Sequence, residues 1–97
     1  MDMPKMYAEP PLGATKFVYE IRDLMSRSYG YLHVCDTDDV AVRQFKDALS
    51  DPQGVFFRHP EDYVLVRCGS VNLSSGVVTG ESPVDIKFGK DCVEVKK

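Results

Sequence analysis

Apolar side chains recur at every second position in the first regular stretch of the chain. Phe17, Tyr19 and Ile21 share one face of an extended segment over residues 16–22, and the residues between them share the other. This period of two is typical of a half-buried β-strand. A second strand is predicted over Tyr31–Cys35, and the short connector favours an antiparallel hairpin of the two strands.

A change of period after the second strand predicts one helix. Asp36 or Thr37 can cap its first free amides, and the acidic residues that follow suit the positive end of a helix dipole. Asp51 and Pro52 end it, because the residue before a proline avoids helical backbone. An apolar stripe at spacings of three and four runs along it: Ala41, Val42, Phe45, Ala48 and Leu49. So short a helix is stable only when the stripe packs on a sheet.

Two further strands are predicted in the second half of the chain. Tyr63–Cys68 is β-branched and apolar enough to be the central strand, and Val77–Thr79 returns after a turn over Asn72–Gly76. Alternation at Val84–Phe88 and at Cys92–Val95 predicts either an edge strand or a tail. The order strand, strand, helix, strand, strand (ββαββ) predicts an α+β fold, in which one helix packs on one face of a small antiparallel sheet.

The chain has 97 residues, which suffices for one domain with a single core. The proline-rich start predicts a flexible arm over residues 1–15, followed by the α+β domain over residues 16–80 and by the edge strand or tail over residues 81–97. No apolar run approaches the roughly 18 residues that span a bilayer, and the N-terminus lacks the pattern of a signal peptide. We therefore expect no membrane association and a cytoplasmic location, in a cell or in an infected host.

The charge balance limits the kinds of ligand that the chain can take. Lys and Arg number 12 against 15 Asp and Glu, which gives a formal net charge of −3. Proteins that coat DNA without regard to sequence are usually basic, because their affinity comes from phosphate contacts. The acidity argues against such a role and leaves room for a local basic patch.

Cysteine use indicates reduced thiols. The three cysteines, Cys35, Cys68 and Cys92, are an odd number at wide spacing and form no C-x-x-C motif. His33 and Cys35 share one face of a strand and are conceivable zinc ligands. Structural zinc sites bring more closely paired ligands, so we expect no metal and no cofactor.

Four blocks of residues stand in a specific order and spacing. They are Tyr19–Asp23, Asp39–Phe45, His59–Leu65 and Gly69–Val78. Together they resemble the small nonstructural protein family of gokushovirus-type microviruses, which are phages with circular single-stranded DNA. In that family a strand ending in Arg-Asp precedes an Ala-x-Arg-x-Phe helix, a His-Pro-Glu-Asp-Tyr-x-Leu block and a Gly-x-Phe-Asp-x-x-Thr-Gly hairpin. The resemblance covers roughly residues 17–80, and Val71, Asn72 and Ser75 depart from the usual residues of the hairpin.

The resemblance implies a nonstructural phage protein of the host cytoplasm. By likeness to the microviral protein that switches DNA from replication to packaging, it implies that the chain binds replicating phage DNA and diverts single strands into packaging. The sequence contains no nucleophile elbow, P-loop or zinc-protease motif, so we expect no enzyme. His59 and Glu61 could serve a metal-dependent nuclease accessory, but the turn chemistry of Pro60 is the preferred interpretation.

Single-stranded DNA is the expected ligand of a small aromatic and basic surface. Proteins that bind it combine cations for the phosphates with aromatic rings on which bases stack. Arg27 and Tyr29 lie in a stretch free of acidic residues, and the sheet face away from the helix is expected to collect the others, with Tyr63 and Arg67 in phase. The predicted nucleic-acid-binding residues are Arg22, Arg27, Tyr29, Tyr31, His33, Tyr63 and Arg67. A solvated face or a dimer surface is the alternative interpretation of the same residues.

Exposed strand edges predict a homo-oligomer. Four short strands and one helix leave edges that invite pairing, and so small a domain has a thin margin of stability. A homodimer that joins edge strands or exchanges terminal arms would relieve both. The sequence also leaves open a second function, that of a dimeric interaction module that engages a phage or host replication protein without contacting DNA.

Overall fold

The computed structural model describes residues 14–92 as four β-strands, one α-helix and two short 3-10 helices. The regular elements are β1 (Thr15–Asp23), β2 (Ser28–Cys35), α1 (Asp38–Ser50), β3 (Tyr63–Asn72) and β4 (Val78–Phe88). The 3-10 helices cover Pro60–Asp62 and Gly89–Asp91. For the described residues, the α+β class with one helix and an antiparallel sheet is confirmed.

All four strands form one antiparallel sheet in the order β2-β1-β3-β4. β1 and β3 are therefore central, as the sequence predicts for β3, whereas β2 and β4 are edges. β4 runs through residues 84–88, the stretch that the alternation left as an edge strand or a tail. The predicted arm up to residue 13, and the last alternating stretch beyond Cys92, lie outside the described residues.

The core lies between α1 and one face of the sheet, here called the helix face. Its main buried side chains come from the predicted helix stripe and from the two central strands: Tyr19, Ile21, Ala41, Phe45, Leu49 and Leu65. Thr37 caps α1, because its hydroxyl accepts a hydrogen bond from the backbone N–H of Val40 at 3.2 Å. An N-cap satisfies an amide that has no partner inside the helix, so this residue fixes where α1 begins.

The opposite face of the sheet, here called the second face, is apolar at its centre. Val18, Val64 and Val66 alternate with the core residues of β1 and β3, and all three are buried. The sequence predicts an open aromatic and basic surface on this face. That expectation is wrong for the centre of the sheet, because both central strands carry β-branched side chains on this face as well.

Candidate nucleic-acid interface

The turn between β1 and β2 presents an arginine to solvent. Asp23 holds this turn closed, since its carboxylate accepts hydrogen bonds from the backbone N–H groups of Met25 at 2.9 Å and Ser26 at 3.3 Å. Arg27 ends the turn with a φ of 59°, a left-handed conformation that few residues with a Cβ adopt. Its side chain is exposed. The fold of the turn therefore holds Arg27 at the tip of the hairpin.

Arg22 and Tyr29 are cross-strand neighbours on the second face, next to this turn. The guanidinium carbon of Arg22 lies 5.6 Å from the centroid of the Tyr29 ring, which is within cation–π range. Arg22 Nε is buried and has no hydrogen-bond partner within residues 14–92. The Tyr29 residue is 45% exposed. A planar cation and an accessible ring thus lie side by side.

Tyr31 interrupts the regular pairing of β2 with β1. The register shifts between Tyr19 and Ile21 of β1, and Tyr31, which lies across from the shift, has a φ of 56°. This conformation is strained for a bulky residue. Tyr31 is 60% exposed, and its ring stands edge-on to Phe56 with the centroids 5.0 Å apart. It lines two grooves, of about 350 and 250 Å³, and lies where they meet. The first groove also contains Ile21 and Phe45 of the core, so the predicted place of Tyr31 on the face away from the helix is wrong.

His33 lies on the helix face, so its predicted place on the face away from the helix is wrong. Its ring stacks on Tyr19 with the centroids 5.9 Å apart. Its Nδ1 donates a hydrogen bond to the carbonyl oxygen of Tyr31 at 2.6 Å. The irregularity at Tyr31 explains the error, because one extra residue in a strand reverses the alternation of the residues beyond it.

Tyr63 also lies on the helix face rather than on the predicted one. It pairs with Asp23 in the β1–β3 ladder, and opposed residues of an antiparallel pair share a face. Its ring packs edge-on against Phe56 with the centroids 4.7 Å apart. Phe56 is buried in the core. Tyr63 therefore belongs to an aromatic group that closes one end of the core.

Arg67 takes part in a network at the start of α1. Its guanidinium donates to Asp38 Oδ2 at 2.7 Å, and the Tyr19 hydroxyl donates to Asp38 Oδ1 at 2.5 Å. The guanidinium carbon also lies 5.4 Å from the centroid of the Phe17 ring. The predicted position of Arg67 away from the helix is wrong, because Arg67 pairs in the ladder with Tyr19, a core residue.

The network neutralises its own charges. Burial alone would raise the pKa of Asp38, but the hydrogen bonds from Tyr19 and Arg67 outweigh it and lower that pKa. Burial and the bonded carboxylate together raise the pKa of the Tyr19 phenol. At neutral pH the carboxylate is thus ionised and holds the Arg67 charge. The network joins the helix to the sheet and leaves no free cation.

Four of the predicted residues come together at one end of the β1–β2 hairpin. We call them the hairpin-end surface: Arg22, Arg27, Tyr29 and Tyr31. Arg22 and Tyr29 are in contact, and Tyr29 and Tyr31 line the same groove. The other three predicted residues lie on the helix face: Tyr63 borders the groove of Tyr29 and Tyr31, His33 borders the other groove of Tyr31, and Arg67 is paired with Asp38. Two exposed rings and two guanidinium groups in one place form the candidate interface.

The His-Pro-Glu-Asp block makes the contacts of a turn. The backbone N–H of Asp62 donates to the carbonyl oxygen of His59 at 3.0 Å, and the Asp62 carbonyl accepts from the backbone N–H of Leu24 at 2.8 Å. The block therefore fastens the hairpin turn to the start of β3. His59, Glu61 and Asp62 each bring one potential ligand atom within 4.8 Å of the others, at the protein surface.

The three cysteines are free thiols. Burial raises the pKa of each of them, and the Cys35 thiol also donates a weak hydrogen bond to Gln44 Oε1 at 3.4 Å. A raised pKa keeps a thiol protonated, and the protonated form is neither a good nucleophile nor a metal ligand. The cysteines therefore behave as small apolar residues.

Comparison with known proteins gives one match. The model of the family described as Phage ORF5 protein matches residues 16–93, a range that contains the whole hairpin-end surface. No curated protein matches, and no solved structure matches. Among the described residues, no helix has the length and apolar character that a membrane crossing requires.

Proposed function

The chain belongs to the Phage ORF5 protein family, and from this premise we propose that it is a nonenzymatic phage protein that binds single-stranded DNA. Its resemblance to the gokushovirus-type nonstructural proteins suggests the viral process in which this binding serves. The protein acts in viral DNA replication and in the switch to genome packaging, within the host cytoplasm. The support for DNA binding comes from the hairpin-end surface.

The Arg22–Tyr29 pair is the observation that carries the proposal. An unpaired base can stack on the exposed Tyr29 ring, and such stacking contributes about 1–3 kcal/mol per base. Within the described residues no carboxylate forms an ion pair with Arg22, so its charge is available to a phosphate. A cation beside a stacking ring is the combination that binding of single strands requires.

Arg27 and Tyr31 extend this surface by one charge and one ring. Arg27 is exposed at the tip of the turn, and Tyr31 lies where the two grooves meet. Only two arginines contribute, on a chain of net charge −3. Because the salt dependence of binding reflects the number of phosphates contacted, we expect affinity to fall gently with salt.

Fluorescence anisotropy with a labelled oligothymidine at low salt tests the proposal. Single strands should bind better than the matching duplex, since stacking needs unpaired bases. Tyr31→Ala should weaken binding by about 5- to 150-fold, the range that corresponds to 1–3 kcal/mol. Phe57→Ala is its control, because Phe57 is an exposed ring outside the hairpin-end surface.

Arg27→Ala and Arg43→Ala provide a matched pair for the charge. Both substitutions remove one exposed arginine, but only Arg27 lies in the hairpin-end surface. We expect Arg27→Ala to weaken binding and Arg43→Ala to change it little. Equal effects would mean that DNA responds to net charge alone. Absence of binding at tens of micromolar protein, where nonspecific binders of roughly 10⁻⁴–10⁻⁶ M affinity register, would overturn the proposal.

A protein-interaction module without DNA contact is the second candidate. The exposed apolar side chains of β2, Leu32 and Val34 among them, favour it. Its partner would be a phage or host replication protein. A folded protein that ignores oligothymidine in the titration above would make this function the better account.

A further inference from the structure

The two edge strands of the sheet differ in the charged residues and prolines that protect an edge from pairing with another strand. Natural proteins protect edge strands with charges and prolines, because the free backbone groups of an edge invite another strand. β4 carries such protection in Glu81, Pro83, Asp85 and Lys87. β2 has no charged residue and no proline, and it exposes Tyr29, Tyr31, Leu32 and Val34. Within the described chain, β2 is hydrogen-bonded to β1 alone.

We propose that β2 pairs antiparallel with β2 of a second copy of this chain, so that the two sheets continue into one across a two-fold axis. The proposal rests on the geometry of this edge and holds whether or not the protein binds DNA. It names a second copy of the chain as the partner of the exposed apolar strand, and it predicts the register of the pairing.

The register follows from the irregularity in β2. Two regular segments flank it: residues 28–30 pair with residues 21–23 of β1, and residues 33–35 pair with residues 17–19. The segments are equal in length, and residues 31 and 32 separate them. A two-fold axis through this midpoint places each segment opposite the other segment of the second copy. The opposed pairs are Ser28 with Cys35, Tyr29 with Val34 and Gly30 with His33.

The faces of the opposed residues agree in this register. Tyr29 and Val34 both lie on the second face, since their β1 partners, Arg22 and Val18, do. They are 45% and 48% exposed, so both have area left to bury. Cross-strand pairs of an aromatic and a β-branched residue stabilise sheets. A slip by one residue would instead oppose Tyr29 with a helix-face residue, which antiparallel pairing does not permit.

The backbone hydrogen-bonding phase agrees as well. In an antiparallel ladder, residues alternate between pairs that exchange hydrogen bonds and pairs that do not. Arg22 and Val18 are four positions apart in β1, so their partners Tyr29 and Val34 are of the same kind: the backbone N–H and C=O groups of both point toward β1, or those of both point away from it. Toward a strand on the other side of β2 they are again of the same kind, as two opposed residues of an antiparallel pair must be.

Charges at the two ends of β2 favour a second copy in the antiparallel sense. The exposed Arg27 immediately precedes the strand, and Asp36 immediately follows it; Asp36 remains exposed although Lys16 Nζ lies 3.3 Å from its Oδ1. The two-fold places each Arg27 beside the Asp36 of the other copy. A parallel arrangement would bring like charges together at both ends. Exposed ion pairs add little affinity, so these charges select orientation, whereas the apolar strand supplies the contact.

The pairing covers only the side of Tyr29 that meets Val34 of the second copy and leaves the rest of the hairpin-end surface accessible. It uses the backbone edge of β2, whereas side chains stand roughly perpendicular to a sheet. In the proposed register the two Tyr29 residues are four ladder positions apart, because the irregularity takes up one residue of β2, and four positions span about 14 Å. Both rings lie on the second face, so one nucleic-acid strand can reach both copies.

Sedimentation or light scattering across a range of concentrations tests the proposal with the full chain. The wild type should have twice the 10.9 kDa mass of one chain. Val34→Lys places a charge inside the proposed ladder, so this variant should be monomeric. Val84→Lys is the matched control, because Val84 is a 44%-exposed valine on the other edge strand. It should stay dimeric, and circular dichroism checks that both variants are folded.

Cysteine cross-linking tests the register itself. An oxidised mixture of Tyr29→Cys and Val34→Cys chains should yield a covalent dimer, because one introduced thiol faces the other. Either variant alone should form no more covalent dimer than the wild type, since each new thiol then faces a native side chain. A mixture that cross-links no better than the single variants would overturn the register.

The failure of this proposal and the failure of DNA binding are distinguishable. A wild-type chain that remains at 10.9 kDa but binds oligothymidine overturns the dimer alone. A dimer that dissociates with Val34→Lys but ignores DNA overturns only the proposed function. Equal dissociation by Val34→Lys and Val84→Lys would show that β2 is not the specific edge, and it would also overturn the dimer proposed here.

Discussion

Two arginines of this protein lie over aromatic rings at nearly equal distances, but their surroundings differ. The guanidinium carbon of Arg67 is 5.4 Å from the Phe17 ring centroid, and that of Arg22 is 5.6 Å from the Tyr29 ring centroid. Arg67 donates to the Asp38 carboxylate at 2.7 Å. Arg22 forms no ion pair within residues 14–92, and its Nε has no acceptor there.

The difference shows that a cation–π contact does not by itself identify a binding site. What separates the two arginines is the face of the sheet on which each lies. Arg67 shares the helix face with Tyr19 and meets the first turn of α1, where Asp38 takes up its charge. Arg22 lies on the second face and keeps its charge beside an exposed ring. One arginine stabilises the fold, and the other is available to a ligand.

Asp38→Ala should produce the largest loss of stability. It removes the acceptor of both Tyr19 and Arg67, and hydrogen bonds to charged groups contribute about 1.5–3 kcal/mol each when buried. Because this pair is partly exposed, we expect a loss of about 1–3 kcal/mol in total. Urea unfolding measures it. Asp39→Ala is the matched control, as an exposed acid in the same helical turn, and an equal loss in the two variants would contradict the role given to Asp38.

The decrease of the unfolding free energy at acidic pH should depend on the same carboxylate. The folded-state pKa of Asp38 is lowered from 3.8. Its contribution is therefore complete well above that value and is lost as the pH falls through the lower folded pKa. The difference in unfolding free energy between the wild type and Asp38→Asn should shrink between about pH 6 and pH 2. A difference independent of pH would mean that the ionised form gains nothing from the network.

The sequence predicts those parts of this fold that depend on local pattern. The apolar stripe of α1, a cap at Asp36 or Thr37 and the helix-face residues of β1 all follow from periodicity and capping chemistry. The structure confirms the stripe and the face, and it shows Thr37 as the cap. At the hairpin end, the prediction of Arg27 and Tyr29 rests on the same kind of signal, because a stretch free of acidic residues is also a local feature.

What the sequence does not predict depends on contacts between distant residues or on a break in periodicity. Asp38 and Arg67 are 29 positions apart, and no spacing rule joins them. The irregularity at Tyr31 reverses the faces of His33 and Val34, which strict alternation assigns the other way round. Gly30 before Tyr31 was the available signal, since a glycine inside a strand pattern often marks a bulge.

Tyr19→Phe should have a smaller effect, because it removes one hydrogen bond and keeps the buried ring. We expect a loss of about 0.5–1.5 kcal/mol at neutral pH. The folded pKa of Tyr19 is raised above 10.0, so the neutral phenol stabilises the fold below that pH and this contribution disappears as the pH rises further. Urea unfolding should show the same pH dependence for the wild type and Tyr19→Phe up to about pH 9, and a steeper decline for the wild type from about pH 10 upward.

Arg22→Ala should change stability least, and it separates the two arginines most directly. It removes an exposed cation–π contact but also a buried Nε without an acceptor, so the unfolding free energy should change by about 0.5 kcal/mol or less. Its affinity for oligothymidine should nevertheless fall. Arg67→Ala should do the reverse, with lower stability and unchanged affinity in the folded protein. Thermal unfolding and anisotropy on both variants measure the two effects. If Arg67→Ala weakened DNA binding as much as Arg22→Ala, the counter-charge of Asp38 would not be what distinguishes the arginines.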